Sequence, residues 1–270
     1  MIMKVDLMDM QQKQLGSVEL PKQFNEEVRS DLVQRAIMSL WNNRRQPYGS
    51  YEDAGDRHSV KISKQRHDFK GCYGFGISRV PRKIMSRNGI RFNWVGAQAP
   101  GTVGGRRAHP PKATKNWEEK LNKKERRKAI RSALAAVMQK ELVESRGHHV
   151  PASYPFIIEN EFEAVSKTKD VLAVLQKLGF GDELSRTEHR TIRAGKGKRR
   201  GRKYKTKKGI LLVVSNNCKL QQAAKNIPGV DVTTVNTINA ELLAPGFMLG
   251  RATLFTQAAI ERMQKENLFM

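Results

Sequence analysis

Lysine and arginine residues, whose side chains bind phosphate, are concentrated in two segments of this chain. Residues 44–115 contain 16 Lys and Arg residues against 4 Asp and Glu residues, and residues 186–208 contain 12 against 1. The two segments therefore account for +23 of the formal net charge of +24 at pH 7. Neutralising the phosphates of a polyanion releases their counterions, so we expect nucleic acid to be the ligand.

Side chains that could catalyse a reaction or hold a metal ion form no recognisable pattern in the sequence. The six histidines are scattered, without a Ser/His/Asp or Cys/His arrangement. His148 and His149 lie at a predicted helix end, where a structural role is more common than metal binding. Glu159, Glu161 and Glu163 alternate along a segment that we expect to be extended and to face solvent. The sequence thus predicts no enzyme, cofactor or metal site.

A glycine-rich basic run, Ala194–Lys208, could suggest the phosphate loop of a nucleotide-binding protein. It lacks the GxxxxGK[ST] order, and its glycines precede a predicted strand, whereas those of a phosphate loop follow one. Gly74-Phe75-Gly76 and Gly104-Gly105 do not lie at a strand-to-helix junction either. We therefore favour binding of an RNA backbone over nucleotide binding, and a solvated or disordered loop is the remaining alternative.

Aromatic residues are interleaved with the cations of the first basic segment. They are Tyr48, Tyr51, Phe69, Tyr73, Phe75, Phe92 and Trp94. Aromatic faces and arginine planes stack on unpaired RNA bases, and His109, which precedes two prolines, could do the same. The alternative is local clustering that stiffens the segment, and we favour RNA contact.

The remaining 175 residues are enough for one well-buried core. The first basic segment holds 10 of the 21 glycines and 5 of the 10 prolines, so we do not expect it to fold as a compact domain. Cys72 and Cys218 have no disulfide or zinc spacing. No apolar stretch is long enough to span a membrane and no secretory signal opens the chain, so we expect a soluble, intracellular protein.

Apolar periodicity predicts a core of alternating strands and helices. Predicted strands cover residues 4–8, 15–20, 156–158, 210–214, 230–235 and 253–255, and predicted helices cover 26–43, 121–145, 171–178, 219–225, 238–243 and 258–266. Short apolar strands separated by helices are typical of a mostly parallel sheet covered on both faces. We therefore predict an α/β, Rossmann-like three-layer globule formed by residues 1–43 and 116–270. The segments 44–115 and 186–208 are predicted insertions, a long extended basic arm and a shorter basic loop.

Several motifs resemble the universal large-subunit ribosomal protein L-four family, in its archaeal and eukaryotic version. They are Arg79-Val80-Pro81-Arg82, the nine residues Gly104–Lys112, Leu121-Asn122-Lys123-Lys124, the eight residues Ala129–Ala136, Lys167-Thr168-Lys169, Gly195-Lys196-Gly197-Lys198 with Arg200, and Ile210–Val214. The resemblance covers essentially the whole chain in order. The long C-terminal extension of eukaryotic relatives is missing, which favours an archaeal source.

This resemblance implies a cytoplasmic ribosome component that supports large-subunit assembly and performs no chemical step. Its arm would penetrate large-subunit ribosomal RNA and line the polypeptide exit tunnel, near ribosomal protein L-twenty-two and the nascent chain. The tunnel-proximal candidates are Arg79, Arg82, Lys83, Arg87 and Arg91. The candidates for ribosomal RNA binding are Arg44, Arg45, Arg57, Lys61, Lys64, Arg66, Lys70, Arg79, Arg82, Lys83, Arg87, Arg91, Arg106, Arg107, His109, Lys112, Lys115, Lys196, Lys198, Arg199, Arg200, Arg202, Lys203 and Lys205.

Two other functions use the same basic surface. A regulator that binds its own messenger RNA would need no further residues. An RNA-modifying enzyme would need a cofactor loop and an acid–base pair, neither of which the sequence contains.

Overall fold

Short runs of branched and aromatic residues form the strands of the computed structural model, which describes residues 3–60 and 62–270. The strands are β1 (Lys4–Met8), β2 (Gln14–Glu19), β3 (Arg82–Asn88), β4 (Arg91–Gly96), β5 (Phe156–Ile158), β6 (Thr191–Ile192), β7 (Tyr204–Lys205), β8 (Leu211–Val214), β9 (Asp231–Thr234) and β10 (Thr253–Thr256). The helices are α1 (Ser30–Asn43), α2 (Lys123–Val137), α3 (Lys140–Ser145), α4 (Thr168–Leu175), α5 (Gly181–Glu188), α6 (Lys219–Ala224), α7 (Ala240–Leu243) and α8 (Gln257–Lys265). None of these helices combines the length and the apolar composition of a membrane span.

The main sheet has six strands in the order β2-β1-β5-β10-β8-β9. The pairs β1–β5, β5–β10, β10–β8 and β8–β9 are parallel, and only the edge strand β2 is antiparallel to its neighbour. The predicted mostly parallel α/β sheet is therefore confirmed.

Two apolar clusters, one on each face of the sheet, form the core. Leu211 and Val213 of β8 belong to one cluster, whereas Leu212 and Val214 belong to the other. Successive side chains of a strand point to opposite faces, so β8 is buried on both sides. Helices α1, α2, α7 and α8 supply residues to the first cluster, and α4 and α6 supply residues to the second.

The chain divides into two compact units. The globular unit consists of the chain up to Asn43 together with Glu119–Met270, and the inserted unit consists of Arg44–Glu118. In the described part of the inserted unit, the helices and strands are limited to the antiparallel hairpin β3–β4, with a bulge between Ile84 and Ser86. Gly89 lies in the turn of this hairpin with a φ of +58°.

The helix predicted over residues 121–145 is in fact two helices. Gln139 adopts an extended conformation, with φ −91° and ψ 103°, between α2 and α3. The buried hydroxyl of Tyr154 donates a hydrogen bond of 2.8 Å to the carbonyl oxygen of Val137, the last residue of α2. Burial raises the pKa of Tyr154, so the hydroxyl keeps the proton that it donates. In a continuous helix the Val137 carbonyl oxygen would accept a backbone N–H from the next turn. Because α2 ends at Val137, the Tyr154 hydroxyl supplies this hydrogen bond instead.

The segment of Glu159, Glu161 and Glu163 is not extended, and the expectation that all three carboxylates face solvent was wrong. Asn160–Ala164 forms a 3-10 helix, and Glu163 is half-buried. One carboxylate oxygen of Glu163 accepts hydrogen bonds from the Ser215 backbone N–H at 2.8 Å and the Thr256 hydroxyl at 2.6 Å. Glu163 therefore joins the chain that follows β8 to the end of β10.

We expect Tyr154→Phe to lower the free energy of unfolding by about 1–3 kcal/mol, because the buried Val137 carbonyl oxygen loses its hydrogen-bond donor. Denaturant unfolding followed by circular dichroism measures this change. Tyr204→Phe is the matched control, since its side chain is 49% exposed, and it should change the free energy by less than about 0.5 kcal/mol. Equal effects of the two substitutions would contradict the assignment.

Candidate nucleic-acid interface

The candidate cations of the inserted unit are exposed, except for Lys70, Arg82 and Lys83, which are half-buried. Lys61 lies outside the described residues. Apart from Arg44, none of the described candidates forms an ion pair with a carboxylate within 4 Å. Their charge is therefore available to an external anion.

Two limbs of the inserted unit lie side by side: the outgoing limb, which contains residues 48–55, and the returning limb, which contains residues 106–117. The Ser50 backbone N–H donates to the Pro111 carbonyl oxygen at 2.9 Å. A Cβ atom on Gly49 would lie 2.4 Å from the Ala113 nitrogen, and one on Gly55 would lie 2.5 Å from the Arg106 Cα. Only glycine allows such an approach, so Arg106 is held beside the outgoing limb.

The hairpin β3–β4 carries four of the five tunnel-proximal candidates. Arg82, Lys83 and Arg87 lie on β3, Arg91 begins β4, and Arg79 precedes the hairpin. Apolar side chains are exposed on the same hairpin, with Ile90 87% exposed and Met85 65% exposed. The hairpin therefore presents a mixed cationic and apolar surface.

Aromatic residues of the inserted unit contact its cations. Phe92 lies 5.6 Å from Phe69 and 6.0 Å from Trp94, measured between ring centroids. Lys70 and Arg87 lie over the Phe92 ring at 5.5 and 5.6 Å. Similar contacts pair Arg57 with Tyr51, Arg79 with Tyr73 and Arg82 with Trp94. These contacts fit the clustering alternative, while Phe75, at 72% exposure, remains open to a ligand.

The second basic segment forms a short ribbon. Strands β6 and β7 pair antiparallel, and the Arg193 backbone N–H donates to the Lys203 carbonyl oxygen at 2.8 Å. Lys196–Arg200 forms a 3-10 turn at the end of the ribbon, and Gly201 follows it with a φ of +78°. The candidates in this ribbon are all exposed: Lys196, Lys198, Arg199, Arg200, Arg202, Lys203 and Lys205.

A buried carboxylate anchors the base of this ribbon. Glu183, which is fully buried, accepts hydrogen bonds from His148 Nδ1 at 2.7 Å, the His149 backbone N–H at 3.0 Å, and Arg186 Nε and Nη2 at 2.8 and 2.6 Å. Arg186 Nη2 also donates to the Lys208 carbonyl oxygen at 2.7 Å. Arg186 and Glu188 lie in α5, so the predicted loop over 186–208 begins only after that helix ends.

Burial by itself would raise the pKa of Glu183, but the hydrogen bonds from Arg186, His148 and His149 outweigh it and lower the pKa to about 2. Burial lowers the pKa of His148, so its ring is neutral at pH 7. Because Glu183 is ionised and can only accept, His148 carries its proton on Nδ1. This pair has a structural role.

A second ion pair, between the buried Arg251 and the half-buried Asp231, holds Gly209, the residue that follows Lys208. Arg251, at 1% exposure, donates from Nε to the Gly209 carbonyl oxygen at 2.7 Å and from Nη2 to Asp231 Oδ2 at 2.6 Å. Lys208 Nζ lies 2.9 Å from the same Asp231 oxygen. Burial opposes ionisation of Asp231, but Arg251 and Lys208 lower its pKa. The ribbon thus joins the core at a fixed point.

The sequence placed the candidate cations in two segments. In the structure, candidates of the first segment share the hairpin β3–β4, and those of the second segment share the ribbon β6–β7. Three residues that matter here were missed: Trp117, which lies at the end of the inserted unit, and the anchoring residues Arg186 and Arg251. The Lys115-Asn116-Trp117 sequence, in which an aromatic residue lies two positions after the last cation of the block, could have indicated Trp117. Arg186 lies three residues after its partner Glu183, a spacing that exposed helical ion pairs also have, so it does not indicate a buried anchor. No local signal marks Arg251, because its partners Gly209 and Asp231 are distant in sequence. The described residues contain no group of three side chains that could hold a metal ion.

Comparison with known proteins gives a consistent result over most of the chain. Residues 18–266 match the model of the Ribosomal protein L4/L1 family. The chain is 46% identical over 268 residues to the large ribosomal subunit protein uL4 of Nanoarchaeum equitans, covering 99% of this chain and 100% of that protein. It is 45% identical to the protein of that name from Methanococcoides burtonii, covering 98% of each chain. The corresponding protein of Archaeoglobus fulgidus is 42% identical, over 96% of this chain and 97% of its own.

The lowered pKa of Glu183 predicts an acid-dependent loss of stability. Its carboxylate stabilises the fold at any pH above the unfolded pKa of 4.5, and this contribution, on the order of 3 kcal/mol, is lost as the pH falls toward the folded pKa of about 2. Denaturant unfolding at a series of pH values should show a flatter decline for Glu183→Gln than for the unmodified protein. Glu161→Gln, at an exposed position, is the control and should leave the slope unchanged.

Proposed function

The chain belongs to the Ribosomal protein L4/L1 family, and from this premise we propose that its two basic segments bind large-subunit ribosomal RNA. Membership makes it a structural constituent of the large ribosomal subunit, a ribonucleoprotein of the cytoplasm, and the family is not one of enzymes. Ribosomal RNA is the polyanion of that particle.

The observation that carries this proposal is the separation of charge from the core. Nearly all of the net charge of +24 lies in the two basic segments, and 20 of the 23 candidate residues that the structure describes are exposed. An exposed cation without a carboxylate partner keeps its full electrostatic attraction for phosphate. Arginine side chains add bidentate hydrogen bonds to phosphate oxygens.

The inserted unit is suited to penetrate folded RNA. Residues 44–115 form a basic arm that neutralises phosphates at depths that a globular domain cannot reach, and the 186–208 segment binds RNA at the surface. The two limbs of the arm approach closely at Gly49 and Gly55, where the absence of a side chain keeps the arm narrow. Binding orders side chains that are mobile in solution, and the entropy cost is offset by release of counterions.

We further propose that the hairpin β3–β4 lines the polypeptide exit tunnel. Arg79, Arg82, Lys83, Arg87 and Arg91 would then be close to the nascent chain, with ribosomal protein L-twenty-two as a neighbour. The mixed surface of the hairpin supports this role, because its cations can bind the phosphates of the wall while Met85 and Ile90 stay exposed to passing peptide.

Deletion of residues 50–110 should leave the globular unit folded and impair large-subunit assembly. The ends can be joined by a short Gly-Ser linker, because Gly49 lies next to Ala113 across the two limbs. Circular dichroism and thermal unfolding measure the fold, and sedimentation of lysate on a sucrose gradient after a high-salt wash measures incorporation. The full-length protein should remain in the large-subunit peak. Normal subunit yield with the deletion variant would refute the proposed role of the arm.

Neutralising the ribbon should reduce the salt dependence of RNA binding. The triple substitution of Lys198, Arg199 and Arg200 by Gln should lower the magnitude of the slope of log K against log salt by about 2–3, if each residue neutralises one phosphate. The matched control replaces three exposed lysines of the globular unit, Lys13, Lys169 and Lys265, and has the same net charge. Equal slopes for both variants, measured with a ribosomal RNA fragment, would show that the ribbon makes no specific contribution.

A further inference from the structure

A pocket lined by aromatic and basic residues lies within the inserted unit. Its lining includes Tyr48, Arg107, His109, Lys112, Lys115 and Trp117, and we refer to these six residues as the Trp117 pocket. The cavity has a volume of about 630 Å³, which is within the range of pockets that hold small organic groups.

The walls of this pocket come from two limbs that are fixed against each other. Tyr48 comes from the outgoing limb, and the other five residues come from the returning limb. The hydrogen bond from Ser50 to Pro111 joins the limbs beside the pocket, and the close approach of Gly49 to Ala113 leaves no space between them. Pro110 and Pro111, whose φ angles are restricted by their rings, also line the cavity. The pocket is therefore built before a ligand arrives.

Aromatic faces and cations are combined at one end of the pocket. The rings of Tyr48 and Trp117 are stacked, with centroids 5.8 Å apart and planes inclined by 23°. The guanidinium carbon of Arg45 lies 3.8 Å from the centroid of the Trp117 ring, and Lys115 Nζ lies 4.2 Å from it. Both cations belong to exposed residues with flexible side chains. They can move from the ring to a phosphate when a planar group takes their place.

The indole N–H of Trp117 is enclosed without a hydrogen-bond acceptor among the described residues. A buried donor without a partner costs free energy, and native proteins contain few of them. The N–H lies in the plane of the indole ring, out of reach of a base that stacks on the ring face, but the ribose and phosphate that adjoin such a base carry acceptors that could supply the missing partner.

We propose that the Trp117 pocket binds one unstacked nucleotide of RNA. The base stacks on Trp117, and Arg107, Lys112 and Lys115 bind the adjoining phosphates. This inference rests on the proposed RNA binding by the inserted unit and adds that one point of contact recognises a base rather than the backbone alone. A duplex cannot use the pocket, because its bases are already stacked on one another.

Trp117 fluorescence tests the proposal directly. The chain has three tryptophans, so the full-length protein with Trp41→Phe and Trp94→Phe reports only on Trp117. A short single-stranded oligoadenylate should quench this fluorescence, whereas an abasic ribose-phosphate oligomer of the same length and a matched duplex should not. Quenching by free adenosine monophosphate at the same concentration would assign the pocket to free nucleotides and overturn the proposal.

Affinity measurements on variants provide a second test. Trp117→Ala should weaken binding of oligoadenylate by about 5- to 150-fold, the range measured for loss of one stacked base, and should leave binding of the abasic oligomer unchanged. Trp117→Phe, which keeps a stacking face but lacks the N–H, should weaken binding less. Leu15→Ala is the matched control, since its apolar side chain is 57% exposed in the globular unit and lies outside the pocket. It should change the affinity by less than about twofold, as expected for a residue that stacks on no base.

The results separate this inference from the proposed function. If oligoadenylate and the abasic oligomer bind equally and Trp117→Ala has no effect, the pocket does not bind a base, and electrostatic RNA binding still stands. If neither oligomer nor a ribosomal RNA fragment binds, the proposed function itself fails. Trp117→Phe keeps the test valid should Trp117→Ala fail to fold, as judged by circular dichroism.

Discussion

The core of this protein can form because its uncompensated positive charge lies elsewhere. A sheet buried on both faces has no place for a cation without a partner, since an unpaired charge in a low-dielectric interior is prohibitively costly. The two large cations at the base of the ribbon, Arg186 and Arg251, therefore contact the carboxylates of Glu183 and Asp231. All other basic side chains discussed as ligands for RNA are outside the core. Stability of the globular unit and affinity for a polyanion thus rest on different residues.

Much of the globular unit could be predicted from its sequence, since continuous apolar runs such as that of β8 are typical of strands buried on both faces. The break between α2 and α3 could not, because it depends on the hydroxyl of Tyr154, which is distant in sequence. The hairpin β3–β4 was missed for a different reason. Asn88-Gly89 is typical of a tight hairpin turn and β4 alternates through Phe92 and Trp94, but β3 carries cations and lacks apolar alternation, so the sequence showed no second strand.

For the candidate interface, too, the local sequence predicts some properties, whereas others depend on contacts between residues that are far apart in the chain. A high density of lysine and arginine predicts exposure, because too few carboxylates are nearby to pair with them, and the structure agrees for most of these residues. Which of these cations share a surface depends on where the two limbs of the inserted unit approach each other, and glycines such as Gly49 and Gly55 allow this approach. The stacking of Tyr48 on Trp117 joins residues that are far apart in the sequence, and periodicity contains no information about such a contact.

The position of β10 in the sheet has a consequence for the synthesis of the chain. β10 separates β5 from β8 in the sheet, yet it follows all other strands in the sequence. While a ribosome is still making this protein, β1 can pair with β5 and β8 can pair with β9, but no strand joins these two pairs until β10 has been made. The sheet can therefore be completed only when almost the whole chain has been made. Both basic segments precede β10 in the sequence, so they leave the ribosome while the sheet, and with it the core, is still open.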